Sequence, residues 1–129
     1  MSDFNDILTF QLKDAGIIPN HPHLPVLVYK KVSEGRTDDD CARWFEATWR
    51  THGWTPAWRW GVYDFPHYHS TAHEILGVFR GRASLRIGHD AGVTLTVEAG
   101  DMIVLPAGTG HQNLGSSRDF QVVGGYPEG

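Results

Sequence analysis

The chain reads as an all-β protein, an antiparallel sandwich or barrel with one short helix packed outside it. Three observations predict this. From residue 54 onward, short apolar runs alternate with Gly-rich turn signals at regular spacing. A single stretch, Asp38 to Gly53, has a helical period with its own start and stop signals. No repeat, linker or composition shift divides the 129 residues. One domain over 1–129 is therefore expected, with N-terminal strands and the covering helix in 1–56 and the core barrel in 57–126.

Taken in order, Phe4, Ile7, Leu8 and Leu12 fit a helical stripe, whereas Phe10 and Leu12 alternate as in a strand; the segment favours a strand at about 9–13. Asp14 to Gly16 turns it, Pro19 to Pro22 is a loop by composition, and Val26 to Tyr29 is a strand. Asp38, Asp39 and Asp40 put hydrogen-bond acceptors and negative charge at a helix N-terminus. Cys41, Trp44, Phe45, Thr48, Trp49 and His52 then lay one mainly apolar stripe along three turns. Arg43, Glu46 and Arg50 face water, Glu46 and Arg50 are placed to pair at i, i+4, and Gly53 ends the helix.

Beyond it, Trp58, Trp60 and Val62 share one strand face, and Ala57, Arg59 and Gly61 the other. Strands follow at Glu74 to Arg80, Ala83 to Ile87, Val93 to Val97, Met102 to Leu105, His111 to Leu114 and Phe120 to Val123. Alternation makes Leu76, Val78, Met102, Val104 and Phe65 candidates for the inner wall.

Composition narrows the function classes. A net charge of -4 without a Lys/Arg run offers nothing to grip a phosphate backbone, which argues against nucleic acid and anionic membrane as partners. The aromatic cluster, five Trp between positions 44 and 60, lacks the interleaved positive charge of a base-stacking platform and reads as core or subunit contact. Cys41 is the only cysteine, so no intrachain disulfide forms, and its place on the apolar stripe reads as a buried thiol rather than a nucleophile. The opening residues have no basic leader followed by an apolar core, and a cytoplasmic location is expected.

The chemistry gathers between Gly61 and Gly81. If Pro66 to His69 is extended, His67 and His69 project from one face of a strand. Ser70 to His73 turns the chain, and Glu74 opens the returning strand beside them. Two imidazoles and a carboxylate are a common donor set for Fe(II), Mn(II), Ni(II) or Zn(II), and they leave coordination positions open. His111 lies far along the chain, and a rolled antiparallel sheet is what returns it to the same cation, on a turn made by Pro106 to Gly110. His73 competes with Glu74 for the acid's place, but its position in the turn favours a supporting role behind the ligands. His21 and His23 repeat the His-x-His spelling between prolines with no acid downstream, and read as solvated loop.

These residues resemble the cupin family. Its first motif asks for Gly, five residues, His-x-His, three or four residues, Glu, six residues and Gly, matched by Gly61, His67, His69, Glu74 and Gly81. Its second is matched by Gly100, Pro106, Gly108 and His111, but the expected Asn position holds Gly115, with Asn113 the nearest Asn. The whole length is similar to small bacterial cupins of the YjlB type. The resemblance implies a double-stranded β-helix, or jelly-roll barrel, and one divalent transition metal (Fe, Mn, Ni or Zn) per chain, held by His67, His69, Glu74 and His111.

Two functions stay open. One is a metal-dependent enzyme, of dioxygenase or isomerase type, acting on a small organic molecule that chelates through oxygen. The other is a metal-bearing binding or sensing module without turnover. Arg59, Tyr63, His73, Asn113 and Gln121 are the candidates for orienting a small-molecule ligand, and Arg59 suggests an anionic one if it points inward. A homodimer is expected from exposed sheet edges and the surplus of Trp.

Overall fold

Short runs that alternate apolar and polar residues bury one face each, and here they close two antiparallel sheets over a shared interior. The computed structural model describes residues 7–10, 25–33, 35–36, 38–60, 73–88 and 92–127. The elements are β1 (Ile7–Phe10), β2 (Val26–Tyr29), α1 (Asp38–Arg50), β3 (Trp54–Trp60), β4 (Glu74–Arg80), β5 (Arg82–Ile87), β6 (Val93–Glu98), β7 (Met102–Leu105), β8 (His111–Ser116) and β9 (Gln121–Pro127). Six strands form one sheet in the order β1-β2-β7-β4-β9-β3, and three form the other in the order β6-β5-β8. The result is an all-β jelly roll with one helix outside it, as expected.

The register decides what faces the interior. Leu76 stands opposite Ile103 and Glu74 opposite Leu105, while Leu76 and Val78 meet Gly124 and Val122 on the other side of β4. With Val26, Val28, Leu85, Ile87 and Val97 these residues make the interior core. Leu76 and Val78 therefore line the inner wall as expected, but Met102 and Val104 do not. They stand opposite Gly77 and Ile75, on the face covered by α1, and Trp49 Nε1 donates to Met102 Sδ at 3.3 Å. Strand β7 lies between β2 and β4 with both faces covered, so apolar residues at every position hide its parity. Phe65 and Val62 lie outside the described residues.

Helix α1 buries Cys41, Ala42, Phe45 and Trp49 against Ile75, Phe79 and Val123. The stripe is narrower at its C-terminal end than its period predicts. His52 is exposed, held over the last turn near the Thr48 carbonyl, and Gly53 at φ 81° ends the helix. Glu46 does not bond Arg50; its carboxylate is taken by Arg59 of β3. Burial pushes the Cys41 thiol up, and Sγ rests 2.9 Å from Ser33 Oγ. A buried, protonated thiol fits the structural reading.

Several strand boundaries differ from expectation, by one or two residues in β5, β6 and β8 and by more in β1, β3 and β9. β1 begins at Ile7 because Ile7 to Phe10 pair with Tyr29 to Val26, and the helical alternative for this segment fails over the described residues. β3 begins at Trp54, with a register shift between Pro56 and Trp58; it is the edge of its sheet, where a proline is tolerated. β9 runs on to Pro127 through Gly124 and Gly125. A Cβ at Gly124 would come within 2.1 Å of the Trp58 ring, and one at Gly125 within 3.3 Å of Trp49. Aromatic rings from neighbouring elements occupy the space over these glycines, so the strand continues where composition suggests a stop.

Gly77 meets the same constraint beneath the helix, since a Cβ there would stand 2.6 Å from the Phe45 ring. Phe45 is fully buried and has nowhere to retreat. Gly77→Ala is expected to lower unfolding free energy by about 1–3 kcal/mol. Urea denaturation should show a reduced midpoint with an unchanged slope, and Phe45→Leu in the G77A background should recover part of the loss.

Candidate metal centre

Glu74 opens β4 in the six-stranded sheet, and His111 opens β8 in the three-stranded one. Glu74 shares the inward face of Leu76 and Val78. His111 stands opposite Ile87, whose side chain is also in the interior core. Facing sheets thus bring the two side chains together, with His111 Nε2 3.2 Å from Glu74 Oε1 and both residues buried.

The turn before β8 is built to aim the imidazole. Thr109 N–H donates to the Pro106 carbonyl, Gly108 adopts φ 87°, and Gly88 N–H donates to the Gly110 carbonyl, tying the start of β8 to the end of β5. His111 Nδ1 lies 3.4 Å from the Thr109 carbonyl. A carbonyl only accepts, so in this contact Nδ1 carries the proton and Nε2 is the nitrogen directed at Glu74. His73 supports the same turn, its Nδ1 accepting the Ala107 N–H at 2.8 Å. It acts there as an acceptor behind the site, while Glu74 is the residue that reaches His111.

Donors about 2.1 Å from one six-coordinate cation, at right angles to each other, stand about 3.0 Å apart. The separation of Glu74 Oε1 and His111 Nε2 fits two neighbouring ligands of a shared ion. Among the described residues, no three of His, Cys, Asp and Glu are grouped to hold an ion. His67, His69 and Tyr63 lie outside the described residues.

The sequence did not point to two further members of this site. Tyr126 O–H donates to Glu74 Oε2 at 3.2 Å, and Trp58 Nε1 donates to Tyr126 Oη at 3.4 Å. The strand reading ended at Val123; continued to 127, its alternation places Tyr126 on the inward face of Val122 and Gly124.

The other candidates stand elsewhere. Arg59 faces the helix side, opposite Val123, with both its Nε and Nη2 on the Glu46 carboxylate, Asp39 beside it and the Phe79 ring beneath it. It does not point inward, so it gives no argument for an anionic ligand. Asn113 shares the parity of His111 but holds a local bulge, accepting from Gly115 N–H and donating to Ser116 Oγ. Gln121 is exposed beside Arg80, at the far end of β4 from Glu74, about 20 Å away at ~3.3 Å per residue.

The Arg59 hydrogen bonds hold the Glu46 carboxyl below its ordinary value. A depressed folded-state value means this contribution is present at neutral pH and is lost as pH falls through that value. Glu46→Gln is therefore expected to flatten the decline of stability over that acidic interval, with a neutral-pH difference under about 1 kcal/mol because the pair is partly exposed. Urea unfolding of both proteins across the interval checks it.

Residues 63–125 match the family model described as Cupin. An uncharacterized protein of Bacillus subtilis, YjlB, is 40% identical over 94% of this chain and 70% of its own length. Among solved structures, a DUF861 family protein from Thermotoga maritima aligns at 17% identity and TM-score 0.47, over 77% of this chain and 96% of that one. A cupin-2 domain protein from Shewanella frigidimarina aligns at 24% identity and TM-score 0.42, over 54% of this chain and 65% of that one.

Proposed function

The chain belongs to the cupin family, and from that premise we propose that it is a metal-dependent enzyme of dioxygenase or isomerase type. The substrate is a small organic molecule that chelates through oxygen, such as a hydroxy or keto acid. One divalent transition ion, Fe, Mn, Ni or Zn, is held by His67, His69, Glu74 and His111. The observation that supports this reading is the meeting of Glu74 and His111, buried and 3.2 Å apart, from the starts of strands in two different sheets.

Such an ion would supply Lewis acidity and, if redox-active, electron transfer to or from a bound molecule. The chain's own residues do the rest. Glu74 supplies negative charge, and His111 presents Nε2 while its Nδ1–H donates to the Thr109 carbonyl. Ile87 and Leu105, buried beside these residues in the sheet registers, keep water from the donors. His73 holds the turn that carries His111. Arg59 takes no part in the site, so the chelating oxygens of the substrate are recognised by the ion rather than by that guanidinium.

Protein purified without chelator or affinity tag is expected to contain one transition ion per chain by elemental analysis, and the double variant His69→Ala/His111→Ala to contain none. Full metal in the double variant would refute the ligand set. Loaded protein should convert a member of a hydroxy- and keto-acid panel, with or without oxygen; stabilisation by a ligand without product would mark it as a binding or sensing module.

A homodimer and a cytoplasmic setting belong to the same proposal. Among the tryptophans whose side chains are described, Trp44, Trp49 and Trp54 pack in the cluster between helix and sheet and Trp58 packs on the interior core, so these four lend the dimer no support. The exposed Leu8 on the edge strand β1 is what favours association. Sedimentation equilibrium is expected to give twice the chain mass, and a monomer at high concentration removes the dimer. Among the described residues, no helix is long and apolar enough to cross a membrane.

A further inference from the structure

Behind Glu74 lies a chain of hydrogen bonds with a fixed direction. Indole N–H is a donor only, so Tyr126 Oη accepts from Trp58 Nε1 at 3.4 Å and directs its own proton onward. The acceptor is Glu74 Oε2, 3.2 Å away. Oε1 is then the oxygen that meets His111 Nε2. The two oxygens of one buried carboxylate have different partners, and Tyr126 sets which is which.

The anchor of this chain is itself held in place. Trp58 stands opposite Gly124 in the pairing of β3 with β9, and its ring lies where a Cβ on Gly124 would stand, within 2.1 Å. The ring therefore lies across the strand that carries Tyr126, two residues further on. We infer that Tyr126, backed by Trp58, is a positioning residue for the metal centre: it holds the Glu74 carboxylate so that Oε1 alone is presented toward His111 and the ion. This deepens the metal-dependent reading above and rests on it.

The consequence is a ligand with restricted rotation about its last bond. Without the Tyr126 hydroxyl, Oε2 loses a restraint, and the carboxylate gains freedom to turn both oxygens toward an ion or to swing away from it. Groups that orient metal ligands in this way typically account for 10–100-fold in affinity. Tyr126→Phe keeps the ring and removes only the donor. Trp58→Phe keeps an aromatic face over Gly124 and removes the N–H that fixes Tyr126.

Co(II) is the probe, because its visible bands report ligand geometry independently of turnover. The metal-free wild-type chain, Y126F and W58F are titrated with Co(II) against a competing chelator, and the spectra of the loaded proteins are compared. The expected result for Y126F is an affinity lower by about 10–100-fold with shifted visible bands. W58F should move both in the same direction by less. Thermal unfolding of the metal-free proteins separates this from simple loss of packing, which would lower stability and leave the bands where they were. Wild-type affinity and wild-type bands in W58F and in a folded Y126F overturn the positioning role alone. Failure of the unsubstituted chain to bind Co(II) overturns the metal reading and this inference together.

Discussion

A buried carboxylate and a buried imidazole, 3.2 Å apart and contributed by two sheets, constrain the rest of the molecule. Taking such groups out of water costs several kcal/mol per ion, which their mutual attraction rarely exceeds, and well-packed apolar residues of similar volume would leave the fold as stable or more so. The interior around them, built from Leu76, Ile87, Ile103 and Leu105, shows what this chain does where only packing matters. Polar donors set into that wall reduce stability, and local concessions of this kind are expected at functional sites. The pair is thus evidence about chemistry more than about what holds the barrel together.

Holding the pair requires the two sheets to keep a fixed relation, and the outer layer contributes to that. Phe45 packs on β4 over Gly77, and Trp49 reaches Gly125 and Met102, so α1 locks the strand that begins with Glu74 to the strand that carries Tyr126. Buried Asp101 accepts from Lys31 N–H and Glu98 N–H and pairs with Lys30, joining the end of β2 to the turn between β6 and β7. Arg59 and Glu46 close the helix onto β3. Arg59 is engaged with Glu46 and Asp39 of the covering helix, and this is why a residue so suggestive as a substrate contact lies outside the site.

Local spacing made much of this legible. The strand bounds at Val26 to Tyr29, Glu74 to Arg80 and Met102 to Leu105 follow from short apolar runs between turn residues, and α1 from its acidic first turn and its period. The approach of His111 to Glu74 was readable because a fixed motif spacing encodes a non-local meeting. Parity was not readable on β7, whose apolar residues serve two cores at once. Neither was the extent of β9, because Gly124 and Gly125 have the composition of a turn and become strand only through rings supplied by Trp58 and Trp49. Tyr126 was lost with that boundary. Such misses share one cause: the deciding atom belongs to another element, and no window along the chain contains both.

The same cause explains how site and fold are coupled here. Glycine at 124 leaves room for the Trp58 ring, the ring brings an N–H to Tyr126, and Tyr126 O–H meets Glu74. Each step is a packing or hydrogen-bonding requirement satisfied by a neighbour on another strand, and the sequence ends at the carboxylate that faces His111. The direction of donation along it is fixed by the indole, which can only give. The Tyr126 hydroxyl therefore donates to Glu74 Oε2 from one side, while Oε1 faces the imidazole. An acceptor organised in this way is matched best by a cation, and the sheet geometry that gives the barrel its shape also determines which carboxylate oxygen such a cation would meet.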